Sequence, residues 1–168
     1  MLAWRVGYDA AGLLDDEAPP AELKVLVQSA DLVVSSDFPR AVQTAERLLD
    51  GRPFPTSQLL REAPTDVPPW NGVRLPRRLW EWAMLARWGY RILRGTDIPP
   101  QDLARGLAAA RWLDDLSTQH THIAVATHGV FRRILARQLL TVGWQPRGKW
   151  RSYDHWSVWS LSKPGVAD

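Results

Sequence analysis

The sequence predicts an α/β fold with a mostly parallel sheet, because two stretches each pass from a short apolar strand directly into an amphipathic helix. The first, Asp31 to Leu49, reads DLVVSSDFPRAVQTAERLL, and the second, Ile123 to Leu140, reads IAVATHGVFRRILARQLL. The apolar run that opens each stretch is too short for a helix and suits a buried strand. Strands that alternate with helices form parallel sheets, because each helix returns the chain to the edge where the previous strand began.

The composition is that of one globular domain over residues 1–168. Hydrophobic residues make up 45% of the chain and charged residues 23%, which excludes a disordered protein. The absence of cysteine excludes disulfides, thiol nucleophiles and cysteine-ligated zinc. The net charge is only +3 and the arginines form no dense stripe, so we expect no nucleic-acid partner.

The most apolar stretch, Leu79 to Leu93, does not resemble a membrane span. It contains three charged side chains, Glu81, Arg87 and Arg91, which a lipid-facing helix of this length does not tolerate. The first residues also reach Gly7 and a polar segment before the apolar core of a secretory signal can form. We therefore expect a cytoplasmic protein with no membrane partner.

The first elements in chain order are a helix, a strand and a second helix. Ala21 to Ala30 carries leucine and valine at helical spacing, and the strand at Leu32 to Val34 follows it. The polar turn at 35–37 is expected to supply the N-cap of the second helix, and Pro39 suits its first turn. Gly51 is expected to be its C-cap.

Arg40 and His128 are the two polar residues that need an explanation. Arg40 falls in the first turn of a helix, where the macrodipole already presents partial positive charge, so a cation is unfavourable there unless an anion joins it. His128 follows the second strand in the same way. Because ligands bind at the carboxyl ends of the strands in α/β sheets, we expect both side chains to face one anion-sized hollow.

The middle of the chain is rich in proline and tryptophan. Residues 51–69 are predicted to be a loop with five prolines, and 66–100 a helical insertion whose helix starts near Arg77. Trp80, Met84 and Trp88 lie four residues apart and share one helix face, which favours a packed core over a ligand platform.

The C-terminal half is predicted to hold a helix from Gln101 to Ser117, a turn over Gly143 to Lys149 and a last strand over Trp156 to Leu161. His120 and His122 have the spacing of a metal motif but no third ligand, so we interpret them as surface residues. His155 is the other histidine that could reach the hollow.

The two strand-to-helix stretches resemble a known family. SSDFPRAVQTA resembles the S-S-x-x-x-R-A-x-Q-T-A segment of the histidine phosphatase (phosphoglycerate mutase-like) superfamily, and THG resembles its second-histidine motif. The resemblance runs from about Tyr8 to the C-terminus. It implies a three-layer α/β/α fold of the phosphoglycerate mutase type, in which the 66–100 insertion covers the site.

The resemblance also implies roles for individual residues. Arg40 would bind the phosphoryl group with a planar guanidinium suited to bidentate, charge-assisted bonds. His128 would stabilise the transferring group, and Glu62, in a segment resembling the family's L-x-E motif, would protonate the leaving oxygen. The implied ligand is a small phosphate ester or inorganic phosphate, with no metal and no cofactor.

One family motif is missing. The family's first strand ends in Arg-His-Gly, whose histidine accepts the phosphoryl group, whereas this chain offers only Arg5, Val6 and Gly7. Arg5 would be the first phosphate-binding arginine on that alignment, but valine has no lone pair to attack phosphorus. On a second alignment the whole first strand is absent. We therefore expect a phosphate-binding domain whose hydrolysis is weak or absent, with Met1 to Val6 partly filling the place of the first strand.

Two alternatives remain open at the level of sequence. The protein is an active phosphomonoesterase whose first strand is lost from this chain, or it is a non-catalytic interaction module. In the second case the tryptophan-rich segment would serve a partner or a homodimer surface.

Overall fold

A computed structural model of the chain describes residues 10–14, 17–63, 98–148 and 155–164, together with residues 76, 78–80, 82, 83, 86, 87 and 90. Three sequence predictions lie wholly or largely outside the described residues. They are the first strand at Met1 to Val6 with Arg5, the stripe that includes Met84 and Trp88, and the cover formed by 66–100. The described residues between 78 and 90 are helical.

The described elements alternate between helix and strand, as the sequence predicts. They are α1 (Ala21–Gln28), β1 (Leu32–Ser36), α2 (Pro39–Leu49), β2 (Thr56–Ser57), a 3-10 turn (Gln58–Leu60), α3 (Pro100–Leu116), β3 (Ile123–Ala126), α4 (Gly129–Thr141), β4 (Gln145–Arg147) and β5 (Ser160–Ser162).

β1 is the centre of a parallel three-stranded sheet with the order β2-β1-β3. Val33 pairs with Ala124 and Ser35 with Ala126, so the two strands end at the same level. On its other side β1 pairs in parallel with β2, where Ser35 is opposite Thr56. β4 and β5 form a separate antiparallel pair.

Helices cover both faces of this sheet. Val34 points into a cluster formed by α3, α4 and the 3-10 turn, in which Leu60 and Phe131 are fully buried. Val33, the next residue of the strand, points to the opposite face, where it packs with α1 and α2. The α/β fold and its three layers are therefore confirmed.

Several element ends differ from the sequence prediction. β1 continues through Ser35 and Ser36, which are fully buried strand residues and not part of the turn. The N-cap of α2 is Phe38, which makes no side-chain capping bond, and its C-cap is Asp50 in the left-handed region, one residue before Gly51. The two serines extend the strand because burial and β-sheet pairing outweigh their preference for turns.

Two strands fall where the sequence predicts turns or loops. β2 lies in the proline-rich stretch 51–69, and its two residues are too few to show alternation. β4 occupies the predicted turn at 143–149, and its partner β5 covers only the end of the predicted strand at 156–161. All three residues of β4 are exposed, so no buried face marks it in the sequence.

The outer edge of β3, away from β1, faces a cleft of about 620 Å³. Every residue from Thr121 to Gly129 lines this cleft, and so does every residue from Trp156 to Leu161. All four residues of β3 are only half-buried, whereas the last four residues of β1 are fully buried. In the described part of the chain, β3 therefore has a paired inner edge and an open outer edge.

Among the described residues, no helix has the length and apolar character needed to cross a membrane.

Candidate active site

The structure brings Arg40 and His128 together at the carboxyl ends of β1 and β3. These neighbouring strands run parallel and in register, so the turns that follow them lie side by side. The Nε–H of Arg40 donates a hydrogen bond of 3.1 Å to Nδ1 of His128, although the two residues are 88 positions apart in the chain. His128 is 6% exposed. The two strand-to-helix turns thus form a single polar centre.

Ser36 contacts the other ring nitrogen of His128, at 2.9 Å. Because Arg40 donates to Nδ1, the ring proton must lie on Nε2, which donates it to the Ser36 hydroxyl oxygen. That oxygen also accepts a hydrogen bond from the backbone N–H of Phe38 at 3.3 Å. Sequence reasoning assigned Ser36 only to the turn, although its place at the end of β1 puts it next to the site.

The imidazole of His128 is neutral near pH 7. Burial lowers its pKa to about 3, and the positive charges of Arg40 and Arg105 act in the same direction. A neutral ring can accept a hydrogen bond at Nδ1 and donate one at Nε2. An anion beside it would offset the charge of Arg40 and favour the protonated ring.

Glu62 lies at the N-terminus of α4, the helix that follows His128. Its Oε1 accepts hydrogen bonds of 3.0 Å from the backbone N–H groups of Ala63 and Phe131. Burial raises the pKa of this carboxyl, against the opposing effect of those two hydrogen bonds and of the charge of Arg40. The group is thus a carboxyl that holds its proton to a higher pH than an exposed glutamate does.

An aromatic ring and an ion pair form the rim of the centre. The Phe38 ring lies 5.4 Å from the His128 ring and has the Arg40 guanidinium 5.2 Å from its centroid. The Arg61 guanidinium lies 5.3 Å from the same centroid and makes two bonds to the carboxylate of Asp37, the first of 2.7 Å. The bond from Arg61 lowers the pKa of Asp37. Sequence reasoning missed this rim because hydrogen-bonding partners 24 residues apart leave no local pattern.

Of the remaining candidate residues, the structure describes only the histidines. Arg5 and Val6 fall outside the described residues. The His155 side chain is 96% exposed, with Nδ1 4.0 Å from a carboxylate oxygen of Glu17. His122 lies at the opposite, amino end of β3, where its carbonyl accepts hydrogen bonds from the backbone of Asp31 and Leu32.

Over the described ranges, no group of three or more histidine, aspartate or glutamate side chains could hold a metal ion.

Comparison with known proteins identifies a matching family and a structural neighbour. The family model for the histidine phosphatase superfamily (branch 1) matches residues 21–163. The neighbour is a crystal structure of a mutant phosphoserine phosphatase from Entamoeba histolytica in complex with phosphoserine. It is 22% identical, with a TM-score of 0.49 over 83% of this chain and 75% of that chain. Among curated proteins, none matches the chain.

Proposed function

Because the chain belongs to the histidine phosphatase superfamily, we propose that its polar centre binds the phosphoryl group of a phosphomonoester and that hydrolysis in this chain is weak or absent. The observation that carries the proposal is the 3.1 Å contact between Arg40 and His128 at the ends of two adjacent parallel strands. This arrangement places a permanent cation and an adjustable imidazole at the edge of the sheet where α/β proteins bind ligands.

Arg40 supplies the charge for phosphate binding. Its guanidinium cannot lose its proton near neutral pH, and it forms bidentate, charge-assisted hydrogen bonds with phosphate oxygens. It lies in the first turn of α2, where the helix dipole also favours an anion. A bound dianion would compensate both the charge of Arg40 and the partial positive charge at the N-terminus of α2.

His128 would adjust its protonation to the ligand. Without an anion the ring is neutral, because burial and the charge of Arg40 lower its pKa. A phosphate dianion in contact with the ring would raise that pKa, so binding would take up a proton on Nδ1. The protonated ring could then donate to a phosphate oxygen from the nitrogen that now accepts from Arg40.

Glu62 would act as the proton donor to the leaving oxygen. Burial raises the pKa of its carboxyl and so favours the protonated form that a general acid needs. In a complete reaction the P–O bond to the leaving oxygen breaks, that oxygen takes the proton of Glu62, and the phosphoryl group passes to a nucleophile. On the alignment that pairs Val6 with the family's nucleophilic histidine, this chain would lack that acceptor. In a serine protease, loss of the nucleophile reduces the rate by a factor on the order of 10⁶.

The alternative is an active phosphomonoesterase whose first strand lies outside this sequence. Within the described residues the outer edge of β3 is open, which favours this alternative, because the cleft along Thr121 to Gly129 leads from the amino end of β3 to His128. A strand in this cleft would deliver its last residues beside the polar centre. Backbone N–H and C=O groups at such an edge are ready to pair with an added strand.

Calorimetric titration with inorganic phosphate tests the binding proposal. We expect the chain to bind phosphate and Arg40→Ala to weaken binding at least tenfold, because it removes the fixed cation. Arg111→Ala is the matched control, since Arg111 is exposed on α3, and it should bind as the unchanged chain does. Absence of binding to the unchanged chain, or equal affinity in Arg40→Ala, would overturn the proposal.

A hydrolysis assay with 4-nitrophenyl phosphate tests the missing nucleophile. The chain is compared with a version extended at its N-terminus by a strand ending in Arg-His-Gly, and with a control extension ending in Arg-Ala-Gly. We expect turnover only with the histidine-bearing extension. Equal turnover by the unextended chain would show that it has its own nucleophile.

A further inference from the structure

Side chains donate hydrogen bonds to every backbone carbonyl of the segment Leu59–Glu62. The guanidinium of Arg105 donates to the carbonyl of Leu59 at 3.1 Å, to that of Arg61, and to that of Glu62 at 3.5 Å. The remaining carbonyl, of Leu60, accepts a bond of 2.8 Å from the hydroxyl of Thr127, the residue before His128. The segment begins inside the single 3-10 turn Gln58–Leu60 and continues past it to Glu62. Its path is therefore set by Arg105 and Thr127.

Arg105 also contacts the partner of the Glu62 carboxyl. Its Cζ lies 4.2 Å from the centroid of the Phe131 ring, and the backbone N–H of Phe131 donates to Oε1 of Glu62. One guanidinium thus contacts both residues of this hydrogen bond, Glu62 through its backbone carbonyl and Phe131 through its ring. A shift of Arg105 would release its contact to the Glu62 carbonyl and its contact to the Phe131 ring together.

Asp102 fixes the position of Arg105. It lies three residues earlier on α3, and its Oδ1 accepts a 2.9 Å bond from Arg105. Asp102 is only 3% exposed, and within the described residues its Oδ2 has no hydrogen-bond partner. A buried ion pair of this kind contributes little to stability, because desolvation offsets the attraction. Placement of the guanidinium is the better explanation for it.

We propose that Arg105 is a positioning residue for Glu62, and that the Asp102–Arg105 pair holds the Glu62 carboxyl buried against the N-terminus of α4. The inference deepens the proposed function, because it rests on Glu62 being the proton donor. A general acid must lie within hydrogen-bond reach of the atom that it protonates. Arg105 would provide that precision, because its guanidinium donates to three backbone carbonyls of the Glu62 segment and to the carboxylate of Asp102 on α3.

The pKa of Glu62 separates positioning from other roles of Arg105. Within the described residues, the charge of Arg40 from α2 acts on the Glu62 carboxyl, Arg105 and Asp102 from α3 lie beside its segment, and α4 presents backbone N–H groups. If Arg105 only supplied positive charge, its removal would raise the pKa of Glu62. If it keeps the carboxyl buried, its removal hydrates the carboxyl and the pKa falls towards its ordinary value. General destabilisation would leave the pKa of the folded protein unchanged.

Carbon-detected NMR titration of the Glu62 carboxyl measures this pKa in the unliganded chain. We expect Arg105→Met to lower it clearly. Arg105→Lys should lower it less, because the lysine ammonium can still donate to part of the carbonyls that the planar guanidinium holds. Arg111→Met, at an exposed position of α3, is the matched control and should leave it unchanged. An unchanged or raised pKa in Arg105→Met would overturn the proposal.

Two further measurements keep the test decisive. Amide exchange at Phe131 should accelerate at least tenfold in Arg105→Met relative to Arg111→Met. Should Arg105→Met fail to fold, Arg105→Lys and Asp102→Asn replace it, and an unchanged Glu62 pKa in both would overturn the proposal. Phosphate affinity plays no part here, so failure of the chain to bind phosphate would count against the proposed function alone.

Discussion

Among the described residues, the inner edge of β3 is paired with a neighbouring strand and the outer edge is not. On the inner side, four residue pairs join β3 to β1, and the turn that follows holds His128 by contacts to Arg40 and Ser36. On the outer side, β3 faces the cleft lined by Trp156 to Leu161. The contrast shows that the contact between Arg40 and His128 rests on the paired edge that joins β1 to β3. Under the proposed function, a chain that lacks the nucleophile would therefore keep its phosphate-binding contacts.

The largest expected difference between the two sides is in stability. Phe131→Ala should lower the free energy of unfolding by about 3–5 kcal/mol, because Phe131, on α4, is fully buried and its ring packs against Arg105. Val158→Ala, at a cleft residue that is 44% exposed, should change it by about 0.5 kcal/mol or less. Urea unfolding of both variants measures the difference. Comparable losses would mean that the cleft side is as tightly packed as the inner side.

The strand-to-helix units were predictable from sequence, and the contacts that tune the site were not. β3 coincides with the apolar run that opens the stretch Ile123 to Leu140, because this run ends at the polar pair Thr127 and His128. The sequence around Arg105 gives no such signal, because an arginine on a helix resembles any solvent-exposed arginine. Its bonds reach carbonyls more than 40 residues away, which depends on how α3 packs against the 3-10 turn.

His128, which follows β3, and His155, which lines the cleft, should differ in their effect on stability at acidic pH. Burial lowers the pKa of His128 to about 3 in the folded protein, whereas the unfolded chain titrates near 6.5. Between these values the unfolded state binds more protons, so His128 reduces stability as the pH falls from 6.5. The slope is at most about 1.4 kcal/mol per pH unit for one proton.

Replacing His128 by Asn should therefore flatten the loss of stability between pH 6.5 and pH 4.5, as measured by urea unfolding at several pH values. Aspartates with lowered pKa, such as Asp37, lose their contribution only at lower pH. His155→Asn is the matched control, because that side chain is 96% exposed, and its pH profile should follow that of the unchanged chain. Identical slopes in His128→Asn and the unchanged chain would mean that His128 is already protonated in the folded state.

The smallest expected difference concerns two serines, one on each side. Ser36→Ala should cost about 1–3 kcal/mol, because it leaves the buried Nε2–H of His128 without its acceptor at 2.9 Å. Ser157→Ala removes a hydroxyl 3.1 Å from Arg132, but the Ser157 carbonyl still accepts from the same guanidinium nitrogen at 2.8 Å. The guanidinium keeps that bond, so this loss should stay below about 1 kcal/mol.

Unfolding by urea compares the two serine variants, and phosphate titration shows whether the ring orientation matters for binding. Without Ser36 the ring can turn, so Nδ1 would no longer be held towards Arg40 and phosphate affinity should fall even where the protein stays folded. A Ser36→Ala variant that kept both its stability and its phosphate affinity would mean that Arg40 alone orients His128. The orientation of His128 would then depend on a single contact, and the contrast between the two edges would be smaller than the structure indicates.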